Sequence, residues 1–180
     1  MSGGHAPARR AVGTEPLAER APHPTSHLVA LATYAIAMAC VESALVVYLR
    51  ALYYPENPLA IFPLVLLSNT HFVFELLRES ATLLMIGAVA WLAANDGTRR
   101  FAAFLYVFGL WDIFYYAWLK AFIGWPVSPE EWDVLFLIPW PWLGPWLAPV
   151  AISLVFVWRS FYAMRIPPRE GAVVPEAAKH

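Results

Sequence analysis

Four long, mostly apolar runs constrain this chain more than any other feature: Leu28–Leu49, Asn69–Ala94, Phe101–Ile123 and Leu143–Met164. A bilayer core roughly 30 Å thick is crossed by a helix of about 20 residues, and each run has that reach. In hydrocarbon every backbone N–H and C=O must be bonded within the protein, so such runs become helices. Composition agrees, since 60% of the 180 residues are hydrophobic and 14% are charged, against about 25% charged in soluble domains. The sequence therefore predicts an all-α integral membrane protein, a four-transmembrane-helix bundle spanning residues 27–165.

Segments outside the spans are short. Residues 1–26, rich in Ala, Pro and Gly, read as a disordered cytoplasmic tail, and 166–180 as a second tail. The first span continues past Glu42 with no cleavage-like site, so it reads as an uncleaved signal anchor. Leu59–Leu67 and Val134–Trp140 are too short to cross and adjoin prolines or tryptophans, so both read as interfacial or re-entrant segments on the outer side. Arg9, Arg10, Arg20, Arg99, Arg100, Arg165, Arg169 and Lys179 all fall on one side of a four-span arrangement. The positive-inside rule then puts both termini in the cytoplasm and points to the cell inner membrane. Trp125, Trp132, Trp140, Trp142 and Trp146 fall on the opposite side, as an interfacial belt or a rigid lid over the outer mouth.

The second run gains its length only by including His71, Glu75, Arg78 and Glu79. An ionisable group at membrane depth costs on the order of 2.5–3.5 kcal/mol on insertion scales, which makes this stretch the place to look for function. At a rise of about 1.5 Å per residue, Glu42 and Glu75 lie about 9 Å below the outer boundary, Asp112 about 13 Å and Glu79 about 15 Å. His71, Glu75, Arg78 and Thr82 follow helical spacing and share one stripe. On the first span Ala35, Ala39, Glu42, Val46 and Arg50 do the same, and the small residues in that stripe permit close helix approach.

Charge counting sharpens the question. Glu42, Glu75, Glu79 and Asp112 oppose Arg78 and the more peripheral Arg50, a surplus of two negative charges if all ionise. A divalent cation would balance it, and carboxylates with one imidazole suit iron, manganese or zinc. Glu42, His71, Glu75, Glu79 and Asp112 are the candidate metal ligands. Arg78 and Tyr115 are candidate cofactor-binding residues, and Glu79, Asp112 and Tyr116 candidate catalytic groups for redox chemistry on an apolar substrate. Trp111, Tyr115 and Tyr116 surround Asp112 in sequence, which reads as aromatic packing or, alternatively, as hydrogen bonding to Asp112 or a redox or substrate pocket.

Competing readings stand beside this. The cluster would equally serve as a salt-bridge network in a non-catalytic accessory subunit of a larger membrane complex, or in a homo-oligomer. A proton or ion relay is the third, opposed by inner halves of the first three spans that hold no ionisable group. A formal net charge of −1 argues against nucleic acid as a partner. The lone Cys40 excludes an intrachain disulfide, and no haem-type histidine pair lies within the spans. No phosphate loop, nucleophile elbow, zinc-protease helix or dinucleotide fingerprint is present.

Overall fold

The computed structural model describes residues 24–57, 59 and 68–165. Four helices follow in order: α1 (Pro24–Tyr53), α2 (Asn69–Ala93), α3 (Gly97–Ile123) and α4 (Leu147–Arg165). All four are long and apolar enough to cross a membrane. Between α3 and α4 lies a two-stranded antiparallel hairpin, β1 (Trp132–Phe136) and β2 (Trp142–Pro145).

The helix ends follow local chemistry. Pro24 opens α1, where a missing N–H costs nothing because the first helical donors have no intrahelical acceptor. The helix thus begins four residues before Leu28, inside the segment expected to be a tail; the rest of that tail, residues 1–23, lies outside the described residues, as do 60–67 and 166–180. Ser68 caps α2 by accepting from His71 N at 3.3 Å, so α2 does run through Glu75, Arg78 and Glu79. Asp96 caps α3 from Arg99 N at 2.9 Å and starts it at Gly97 rather than Phe101. Gly124, at φ 75°, ends α3 with its N–H on Lys120 O at 3.0 Å, a left-handed position that favours glycine.

The segment from Val134 to Trp140 differs from its expectation. In a chain expected to be all-α it is not helical: its first half is β1, whose register sets Asp133 opposite Gly144 and Val134 opposite Leu143. Leu143–Pro145 accordingly belong to β2 and not to the fourth span, which starts at Leu147. Leu135 lies over Gly144, where an added Cβ would meet Leu135 Cδ1 at 3.1 Å. Pro139 and Pro141 fall in the connection, and Pro145 ends its strand, where no ladder donor is missed.

Helix α3 is the central element and packs along α1, α2 and α4. Ala35 and Ala39 of α1 are fully buried, and Ser43 donates to Tyr115 O at 2.9 Å on α3. Trp118 Nε1 reaches back to Ile36 O at 3.1 Å. Small residues matter here because helices in lipid gain nothing from hydrophobicity and must associate by close packing and polar contacts. Gly109 shows the same on the α4 side: a Cβ there would lie 2.8 Å from Ser153 O. Val41, Tyr48, Leu84, Leu92 and Trp158 are widely exposed apolar side chains, as suits a lipid-facing surface.

Candidate functional site

At the hairpin end of the bundle a cavity of about 400 Å³ lies between α1, α2, α3 and the hairpin. That is within the range of small-molecule sites, roughly 300–1,000 Å³. Leu49, Phe72, Leu83 and Leu135 give it apolar walls, and Trp111, Tyr115 and Phe136 give it aromatic ones. Arg50, Glu75, Arg78, Glu79, Asp112 and Asp133 supply its charge.

Arg78 on α2 is held from two sides. Its Nη1 bonds Glu42 of α1, and its Nη2 lies 2.9 Å from Glu75, one turn earlier on α2. Thr82 donates to the other Glu42 oxygen at 2.6 Å. Glu42 is 6% exposed, so both of its oxygens are buried and both are used. The stripe read from helical spacing is therefore one interhelical contact. Arg78 pairs with Glu42 and Glu75, and Asp112 takes no part in it.

Glu79, one turn beyond Glu75, points elsewhere. Its carboxylate accepts backbone N–H bonds from Leu137 at 2.9 Å and Ile138 at 3.1 Å, both in the turn after β1. A buried carboxylate with two charge-assisted amide bonds is well satisfied. The hairpin is thereby tied to α2.

Asp133 of β1 makes the second tie. Tyr116 donates to its Oδ2 at 3.2 Å, and Arg50 Nη2 lies 3.8 Å from its Oδ1. Arg50 also lies flat on Trp125, 3.9 Å from the ring centre. Burial dominates at Asp133 and pushes its carboxyl up to about 6, against the opposing pull of Arg50, Val134 N–H and Tyr116. Asp112 sits on the far wall, where Ser153 of α4 donates to it at 2.9 Å. Trp111 does not bond Asp112: its Nε1 is buried without a partner.

The five candidate metal ligands thus do not converge. Glu42 and Glu75 face Arg78, Glu79 faces two amides, Asp112 faces Ser153, and His71 is exposed against Tyr53. Among the described residues no group of three or more His, Cys, Asp or Glu side chains could hold a metal ion. The physical reason is that each carboxylate found its own neutral or cationic donor as the helices packed. Tyr116 meets Asp133 rather than Asp112, and Tyr115 packs edge-on against Tyr116 at 5.1 Å.

No protein-family model matches the chain, and neither a curated protein nor a solved structure proves similar to it. Sequence reasoning missed Asp133, which reads as a loop charge, and set Arg50 aside as peripheral. The signal for Asp133 was its place in Trp132-Asp133-Val134-Leu135-Phe136, a short run of aromatic and branched residues of the kind that favours a strand. For Arg50 it was the end of the Ala35–Ala39–Glu42–Val46 stripe, which is buried down to Arg50 at 5% exposure.

Proposed function

We propose that this is a small multi-pass protein of the cell inner membrane, both termini cytoplasmic, whose outer-side cavity receives an amphiphilic small molecule from the bilayer. The observation that carries the reading is the cavity itself, about 400 Å³ of apolar and aromatic wall around polar groups already fixed by their own partners. Such preorganisation is what a binding site needs, because a ligand then meets side chains that lose little freedom on contact. Its apolar end would lie along Leu49, Phe72 and Leu83, and its polar end near Arg50, Trp111 and Asp133. The hairpin, tied down at Asp133 and at Leu137–Ile138, would close the outer mouth.

The test is photo-crosslinking in nanodiscs with an amphiphile bearing a diazirine on its chain. Label concentrated on α2 and the hairpin, and lost in Leu83→Trp, which fills the cavity, supports the reading. Label spread evenly over lipid-facing positions such as Leu154 and Trp158, with no effect of Leu83→Trp, refutes it. Reporter fusions after Arg50, Asp96, Glu131 and Lys179 test the orientation, and an external signal at Asp96 would overturn it.

A second reading, a bound divalent cation of the iron, manganese or zinc class doing redox chemistry, is favoured by the charge count alone. The cavity walls hold four carboxyls and two guanidiniums. One equivalent of metal surviving purification would support it; unchanged folding in chelator with no stoichiometric metal would remove it.

A further inference from the structure

We infer that the ligand of this cavity is an uncharged amphiphile whose head carries carbonyl oxygens, a molecule of the quinone class; the inference rests on the binding reading above. Three buried side-chain polar atoms have no hydrogen-bond partner among the described residues: Arg50 Nη1, Trp111 Nε1 and Ser160 Oγ. Two of the three belong to side chains that line the cavity, and both are N–H donors. A buried donor without an acceptor is a standing cost that an incoming acceptor relieves. Neither side chain is free to swing out to solvent, since Arg50 is 5% and Trp111 8% exposed. Arg50 is pinned on Trp125, and the Trp111 ring packs against Phe108, Tyr115 and Phe136.

Most of the other polar groups at the cavity are engaged. Arg78 holds Glu42 and Glu75, Glu79 holds two amides, Asp112 holds Ser153, and Tyr116 donates to Asp133. The two buried lining atoms left without a partner are both donors, so a ligand that relieves them brings acceptors, which neither an apolar nor a cationic head supplies. Charge narrows the class further. With four carboxyls against two guanidiniums on the walls, an anionic head adds to an existing surplus, whereas a carbonyl oxygen supplies lone pairs and no charge. A flat ring bearing carbonyls also has Trp111, Tyr115 and Phe136 to lie against.

The experiment compares four probes with one tail on the full chain in nanodiscs: decyl-benzoquinone, decylbenzene, decyl phosphate and decyltrimethylammonium. Each competes against the diazirine amphiphile for crosslinking. The quinone is expected to compete at a membrane fraction about tenfold or more below decylbenzene, as two hydrogen bonds of roughly three- to tenfold each would give. Trp111→Phe, which removes an N–H that bonds nothing in the protein and keeps a ring against its aromatic neighbours, should stay folded and shrink that advantage by about three- to tenfold. Equal competition by decylbenzene, stronger competition by either charged probe, or an undiminished advantage in Trp111→Phe overturns the inference and leaves the cavity reading standing. Failure of all four probes to compete refutes the cavity reading itself.

Discussion

Replacing Arg78 by leucine removes the one cation shared by Glu42 and Glu75, and the structure fixes what remains. Glu42, 6% exposed, keeps only the Thr82 hydroxyl. Glu75, with its side chain 15% exposed, loses both contacts it makes with Arg78. Breaking a buried pair by deleting one partner costs about 3–5 kcal/mol, because a charge is left desolvated and uncompensated. The Arg78 side chain is 24% exposed, so water reaches part of the site and the lower end, about 3 kcal/mol, is expected. For a chain of this size that is a fall in melting temperature of roughly 6–12 °C. Glu42→Gln alone should cost less, because Arg78 retains Glu75 and the amide oxygen still accepts from Thr82. The decisive comparison is Arg78→Leu with Arg78→Leu/Glu42→Gln, melted in the same mild detergent. Removing the stranded carboxylate should recover stability, so the double variant melts above the single one. An Arg78→Leu protein that melts like the parent, or a double variant that shows the simple sum of two losses, refutes the claim that these residues form one coupled buried site.

Three further outcomes follow from particular contacts. Asp133 has a folded pKa near 6, above its ordinary value of 3.8, so the folded state holds its proton more tightly and stability falls as pH rises between about 4 and 6. Protection factors in the hairpin, taken relative to the intrinsic exchange rate at each pH, should be higher at pH 5 than at pH 7, and Asp133→Asn should abolish that difference; a difference that survives the substitution rules out Asp133 as its source. Glu79→Gln replaces a carboxylate that accepts from Leu137 and Ile138, so those two amides should exchange faster by an amount equivalent to about 1–3 kcal/mol; unchanged exchange would mean the hairpin stays down without Glu79. Gly109→Ala would place a Cβ 2.8 Å from Ser153 O and 2.9 Å from Val157 Cγ2, and should cost about 1–3 kcal/mol as α3 and α4 separate; a melting temperature equal to the parent's would show that the two backbones have room to move apart.

The helices were legible because lipid allows so few alternatives. Ser68 and Asn95-Asp96-Gly97 marked the two ends of α2, and the extension of α2 through Glu79 followed from the length a span requires. The stripe from His71 to Thr82 put Arg78 and Thr82 on one face of α2, and both meet Glu42 of α1. Two things were hidden. The hairpin was masked by three prolines among its tryptophans, which read as a loop unless the strand-favouring residue types from Trp132 to Phe136 are weighed against them. Which donor each carboxylate would take was hidden too, because helical phase gives the face of a residue and not its partner on another element. Glu79 shows this best: its partners are backbone amides 58 and 59 residues away, and amides carry no sequence signal.

Helices α1 and α2 make few backbone approaches to one another. What spans the space between them near the cavity is a pair of long side chains, Arg78 meeting Glu42, braced by Thr82. The ion pair therefore works as a strut, and the width of the slot beside it is set by the number of methylenes in two side chains. Shortening either one, by Arg78→Lys or Glu42→Asp, would draw the helices inward while keeping both charges. A chain built this way can retune the size of what it admits by a single conservative substitution, leaving every helix–helix contact along α3 as it is.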